Sequence, residues 1–195
     1  MPARRPTPPT TVYQLKITLV GISPPIWRRI LVPSTLRLSS LHDAIQAVFG
    51  WTDTHLHHFE FEGEYWGVPD DEDFEDLQDE SKVPLRKLLV AEGWTLNYTY
   101  DFGDNWRHKI LLEKILHAGI ISRPICVDGR RHRPPEDVGG PHGYQEFLEA
   151  AFDPGHEEFE HYRQWAGGEF QAEEFNLEAV NNVLSRMRWP MRHQR

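Results

Sequence analysis

The stretch WTLNYTYDFGDNWRHKILLEKI, Trp94–Ile115, decides how this chain is read. Trp94, Leu96, Tyr98, Tyr100 and Phe102 alternate with Thr95, Asn97, Thr99 and Asp101. A period of two gathers the five large apolar side chains on one face, so the spacing predicts a half-buried strand. Gly103-Asp104-Asn105 supplies turn chemistry, and Trp106 to Ile115 returns as a second strand. A reversal at Gly103 is expected to carry Tyr100 and Phe102 inward and to leave Asp101 and Asp104 at an open rim. Arg107, His108 and Lys109 follow as a basic trio.

On the N-terminal side, Met1 to Thr11 is rich in Pro and Thr, has no apolar periodicity and reads as a tail. Tyr13, Leu15, Ile17 and Leu19 alternate with polar residues, Gly21 to Pro25 breaks the run, and Ile26 to Val32 returns as a partner strand. Ser40-Leu41-His42-Asp43 has a Ser-x-x-Asp capping pattern. Leu41, Ile45, Val48 and Phe49 follow at helical spacing, His42, Asp43 and Gln46 fall on the other side, and Gly50 is placed to end the helix. In HLHHFEFE, His55 to Glu62, strand parity puts His55, His57, Phe59 and Phe61 on one face and Leu56, His58, Glu60 and Glu62 on the other. Gly63, the acidic run Asp70 to Glu80 and Pro84 mark a long exposed connection, and Leu85, Leu88 and Leu89 a short helical turn.

The order is therefore hairpin, helix, strand, excursion, short helix, strand and added strand. That is an α+β plan with a β-grasp-like mixed sheet and one crossing helix, a fold-level analogy without functional content. Ser122 to Tyr144 reads as irregular. Helices are expected over Tyr144 to Phe152, Glu157 to Trp165 and Leu177 to Met187, the last capped by Asn176 with an apolar stripe of Leu177, Val180, Val183 and Leu184. They form a C-terminal extension expected on the second side of the sheet or at its end. The domain plan is a tail over 1–11 and a single domain over 12–188, with the sheet in 12–116 and the loop and helices in 117–188.

Composition narrows the function classes. Hydrophobic residues make up 39% and aromatics 12%, so aromatic packing can build a core. One cysteine, Cys126, excludes an internal disulfide and a thiolate zinc cluster. No apolar run approaches the ~20 residues that cross a bilayer, so the expectation is a cytoplasmic protein without a membrane partner. The net charge of −9 argues against generic duplex binding, though much of it lies in Asp70 to Glu80. That run matches a calcium loop in composition alone, lacking its central Gly and ligand spacing.

Five stretches carry a family resemblance: YQLKITLVGISPPIWRRILVP, HLHHFEFEGEYWG, YTYDFGDNWRH, PPEDVGGPHGYQEFL and DPGHEEFEHYRQWAGGEFQAEEFNLEAVNNVL. Together they span Tyr13 to Met187, and the chain resembles the plasmid pRiA4b ORF-3-like family, also known as a transposon-passenger TnpR family. The resemblance implies an association with plasmids and mobile elements and little about activity. No serine-recombinase catalytic motif accompanies it. Relatives often carry cysteines where this chain has Arg133 and Val138, so a thiolate role is not expected here.

Several constellations bear chemistry. Asp101, Asp104 and His108 can hold a divalent ion or share acid–base work, or the two acids can simply accept turn amides. His55, His57 and His58 look like a metal cluster, but parity lets at most two converge easily. The rigid Pro134-Pro135-Glu136-Asp137-Val138-Gly139-Gly140-Pro141 loop can aim Glu136 or Asp137 at the Asp101/Asp104 turn, or steer the chain into the next helix. Tyr100, Trp106, Arg107, Arg130 and Arg131 are the expected binding residues, and Arg28, Arg29 and Arg130 to Arg133 could meet phosphate. The preferred reading is a non-enzymatic binding or adaptor domain with a protein partner, a nucleic-acid partner being the weaker case. Its alternative is a metal-dependent hydrolase, phosphodiesterase-like, using Asp101, Asp104 and His108 with Glu136 or Asp137. No cofactor is expected beyond the divalent metal of that alternative.

Overall fold

The computed structural model describes residues 11–69, 77–117 and 121–189. The expected N-terminal tail, apart from Thr11, and residues 70–76 of the acidic run lie outside the described residues. In chain order the elements are β1 (Val12–Leu19), β2 (Trp27–Pro33), α1 (Leu38–Phe49), β3 (His57–Phe61), β4 (Glu64–Gly67), β5 (Leu77–Asp79) and β6 (Thr95–Tyr100). They continue with β7 (Trp106–Leu116), β8 (Ile125–Arg130), α2 (Gly140–Ala151), α3 (Phe159–Trp165) and α4 (Leu177–Arg186).

The strands form one eight-stranded sheet in the order β5-β4-β3-β6-β7-β1-β2-β8. Every pairing is antiparallel except β4 with β5. The fold is thus a mixed α+β arrangement on a mostly antiparallel sheet, wider than the sequence suggested. β4 and β5 form within the expected exposed connection, and β8 within the expected irregular stretch. Strands of three and four residues are too short to display a period of two. β8 buries only Cys126 well and shifts register against β2 between Arg29 and Ile30, so it too lacks a pattern.

The central hairpin forms with Tyr100 opposite Trp106 and Tyr98 opposite His108. Leu96, Tyr98 and Tyr100 are fully buried, but the expected inward set ends there. Trp94 and Phe102 lie outside the strand and are 39% and 41% exposed. Asp101 adopts a left-handed φ of 56°, which breaks the pleat. Phe102 consequently projects outward, and Asp101 is buried rather than held at an open rim.

α1 also starts differently. Its first residue is Leu38, and Arg37 before it makes no side-chain cap. Ser40 is buried within the first turn, so the Ser-x-x-Asp pattern does not cap. The Leu38 amide instead donates to Val83 O at 3.0 Å, and Leu85 N donates to Leu36 O at 2.8 Å. A neighbouring segment thus satisfies the helix start that a local side chain was expected to satisfy. Gly50 ends the helix as read, at φ 80° with its amide on Gln46 O at 2.7 Å.

Leu38, Leu41, Ala44, Ile45 and Val48 of α1 join Leu15, Ile17, Ile30, Leu96 and Ile110 of the sheet in one core. Each buried Leu, Ile or Val in this set contributes roughly 1.5–3 kcal/mol before the entropy of ordering is counted, and Ala44 less. The other sheet face carries polar pairs, among them Arg29 Nε to Glu113 Oε2 at 2.6 Å and Gln14 Nε2 to Glu113 Oε2 at 2.8 Å. Asn176 caps α4 by accepting from Ala179 N at 2.9 Å. α4 packs beside α1 and on β8, not on the polar face. Leu184 is buried, while Leu177 and Val183 of the expected stripe are exposed. Among the described residues no helix is long and apolar enough to cross a membrane.

Candidate functional site

The hairpin separates the three residues expected to act together. The Asp101 Oδ1 atom accepts from Gly103 N at 2.9 Å and from Asp104 N at 3.3 Å, so it caps its own turn. His108 is buried in the core between Phe49 and Tyr98, with Nδ1 donating to Trp106 O at 2.9 Å. Burial pushes its pKa down to about 4. Strand alternation is the reason: His108 faces the core like Trp106 and Ile110, whereas the two acids sit in the turn beyond. His108 therefore leaves the candidate metal and acid–base set, and the hydrolase reading built on it has no support.

The expected binding residues divide as sharply. Tyr100 and Trp106 are fully buried and present no ring to a partner. Arg131 is buried, with Nε on Glu173 Oε1 at 2.7 Å and Nη1 on Pro24 O at 2.7 Å. Arg107 and Arg130 are exposed. Arg28 is a core residue that donates to Val48, Trp27 and Arg130 carbonyls and lies over the Phe49 and Phe175 rings. Burial lowers its pKa to about 10. Arg29 pairs with Glu113 and Asp128. Arg133 donates to Gly50 O and Pro134 O. Most of the supposed phosphate-binding arginines are thus committed to structural carbonyls and carboxylates. Burial raises the Cys126 thiol to about 11, which keeps it protonated near neutrality.

The proline–glycine loop does reach the hairpin turn. Gly139 N donates to Asp104 Oδ2 at 3.1 Å, and Glu136 Oε1 accepts from Thr52 N at 2.8 Å and Thr52 Oγ1 at 3.0 Å. Asp137 lies between these two anchors. Its Oδ1 stands 3.2 Å from His55 Nε2, and Asp101 Oδ2 stands 3.6 Å from the same nitrogen. His55, Asp101 and Asp137 thus meet although they come from three separate segments. The other two histidines go elsewhere. His57 pairs with Glu80 at 3.0 Å, and His58 packs against Tyr65 and Phe102.

Beside this group opens a cleft of about 960 Å³. Its polar lining includes His42, Asp43, Asp53, His55, His57 and Glu80, and its apolar lining Leu56, Tyr65, Val68, Leu77 and Phe102. His42 and Gln46 were expected on the solvent side of α1, but both are buried. Gln46 Oε1 accepts from Asp53 N at 3.0 Å, which turns Nε2 toward Tyr98 Oη at 3.1 Å. The hydroxyl then has its single proton for His42 Nδ1, 2.8 Å away, and His42 Nε2–H faces Asp53 Oδ1 at 2.9 Å. This tautomer is assigned because it satisfies every group in the chain of bonds. Burial and the neighbouring His57 hold the His42 pKa down at about 4, while burial raises Asp43 and takes Tyr98 well above its usual range. Sequence reasoning missed His42, Asp53 and Glu80. The available signal was a His and a Gln one helical turn apart on a helix laid across a sheet.

Fold and site define an α+β protein with one helix-covered sheet face and a histidine- and acid-lined cleft. The chain belongs to the plasmid pRiA4b ORF-3-like family, whose model matches residues 11–179. It is 39% identical over 176 residues to the uncharacterised protein y4hQ of Sinorhizobium fredii (strain NBRC 101917 / NGR234), covering 89% of this chain and 91% of that one. It is also similar to the crystal structure of MM3350, a protein of unknown function from Methanosarcina mazei Go1. The TM-score is 0.79 at 43% identity, with 87% of this chain and 97% of that one covered.

Proposed function

We propose that this chain is a non-enzymatic binding or adaptor domain whose recognition surface is the cleft beside α1 and β3. Its occupant is a segment of a protein partner that carries apolar side chains and at least one Lys or Arg. The carrying observation is the grouping of Leu56, Tyr65, Val68 and Phe102, 67%, 42%, 64% and 41% exposed, around one cleft. Single exposed apolar residues are ordinary, but four on one concave surface mark an interaction site. Asp43, Asp53 and Glu80 in the same lining favour a cationic group and oppose phosphate. The net charge of −9 opposes nucleic acid in the same sense. Association with mobile elements is part of this reading and rests on the plasmid-related family alone.

The test is selection of random peptides on the whole chain, followed by titration of the winners against Leu56→Ser and Phe102→Ser. Enriched peptides should combine apolar residues with Lys or Arg, and each variant should weaken them tenfold or more. Winners that bind both variants as tightly as the parent would overturn the reading.

A further inference from the structure

We propose that His55, Asp101 and Asp137 form a mononuclear site for a divalent first-row transition ion of the Zn²⁺ or Mn²⁺ type. His55 Nε2, Asp101 Oδ2 and Asp137 Oδ1 lie within 4.8 Å of one another. Donor atoms each ~2.1 Å from a common ion stand roughly 3–3.5 Å apart, which the separations of 3.2 and 3.6 Å from His55 Nε2 approach.

The independent observation is the state of His55 itself. Its Nε2 is shielded from solvent and, among the described residues, has no hydrogen-bond partner, although two carboxylates flank it. An ordinary His–carboxylate pair would align an N–H with one oxygen, as His42 does with Asp53. Here the nitrogen faces the space between two acids and bonds to neither. Among the described residues, no Lys or Arg pairs with Asp101 or Asp137 to neutralise them.

The ligands are also held in place. Asp101 uses Oδ1 on the turn amides and leaves Oδ2 for the site. Asp137 is pinned on one side by Glu136 on Thr52 and on the other by Gly139 on Asp104. Outer bonds that orient ligands in this way characterise functional metal sites. One imidazole and two carboxylates suit zinc or manganese, and the nitrogen donor disfavours Ca²⁺ and Mg²⁺. A donor set of two carboxylates and one imidazole suits a divalent charge. Three protein ligands leave positions open beside the cleft that His55 also lines.

The experiment is calorimetric titration of the chelator-stripped whole chain with Zn²⁺ and Mn²⁺, with Mg²⁺ and Ca²⁺ as comparators. One equivalent of Zn²⁺ or Mn²⁺ should bind. Asp137→Asn and His55→Gln should each weaken it tenfold or more, and His142→Gln, on the exposed side of α2, should not. Asp137 is 71% exposed, so its substitution leaves the fold intact; Asp101 is spared because it also caps the turn. Paramagnetic resonance of the Mn²⁺-loaded protein should show coupling to one imidazole nitrogen. Absence of binding, unchanged affinity in both variants, or bound Mn²⁺ without nitrogen coupling would each overturn the site. Affinity that falls in Asp53→Asn but survives in Asp137→Asn would overturn it too, by moving the ion to His42 and His57. Peptide binding at the cleft does not depend on any of these outcomes.

Discussion

His42 and His57 lie ring on ring, with centroids 3.6 Å apart and planes 10° from parallel. Each has a carboxylate at Nε2, Asp53 at 2.9 Å and Glu80 at 3.0 Å. A crossing helix supplies one ring and a strand the other, so the pair ties α1 to the sheet with polar atoms where apolar residues would be expected. Burial first, and then the stacked His57 ring, oppose a proton on His42.

That arrangement makes stability pH-dependent in a defined window. His42 is faced by Tyr98 from β6, His57 from β3, Asp53 from the loop after α1 and Glu80 from the turn after β5. His42 and His108 both have native pKa values lowered to about 4, against ~6.5 in an unfolded chain. Between those values the unfolded state binds more protons, so stability is fully present above about 6.5 and is lost as pH falls toward 4. Each ring contributes at most roughly 3 kcal/mol to this loss. Urea unfolding at pH 7.5, 6.0 and 4.5 should show the decline, and His108→Leu should flatten part of it. A pH-independent midpoint across that range would contradict buried neutral rings.

Tyr98→Phe isolates the hydrogen-bond chain from the packing. The ring stays, but Gln46 Nε2 and His42 Nδ1 lose the hydroxyl that serves both. Leaving buried polar atoms unpaired costs about 1–3 kcal/mol. Chemical denaturation should report a loss of that size, and the double variant Tyr98→Phe/Gln46→Leu should lose less than the two single changes added together.

Asn181 fastens α4 to the sheet edge. Its Oδ1 accepts from Cys126 N at 3.0 Å and its Nδ2 donates to Cys126 O at 2.8 Å, so a side-chain amide pairs with β8 as a neighbouring strand would. Asn181→Ala should cost roughly 1–3 kcal/mol. It also bares part of an edge, so light scattering should reveal faster association on warming.

Gly143→Ala tests the joint between the proline–glycine loop and α2. A Cβ there would lie 1.9 Å from Val138 O, a backbone atom that cannot turn aside. Gly140 is similarly tight, its added Cβ falling 2.3 Å from Asp104 O. Gly143→Ala should lower stability by about 1–3 kcal/mol, the range for forced overpacking. Because the loop must move, it should also weaken Zn²⁺ binding without touching any proposed ligand.

Period and turn chemistry made the two hairpins, the helix before Gly50 and the Asn176 cap legible from residue order. These are local effects, complete within about ten residues. The convergence of the proline–glycine loop on the hairpin turn was also visible as a possibility, since fixed and freed φ values confine where Glu136 and Asp137 can go. The extra strands β4, β5 and β8 were not legible, because pairing partners and not local periodicity define them.

The amino-acid sequence by itself determined the family and the alternating core of β1 and β6. Leu15, Ile17, Leu96 and Tyr98 can be buried together only if these segments are extended. Tertiary structure alone decided which acids meet which histidines. Asp101 turns inward through a left-handed backbone step, His108 is drawn into the core by strand parity, and His55 and Asp137 are brought together across more than eighty residues of chain. Such contacts depend on sheet order and loop anchoring, and neither is written in the spacing of any one motif.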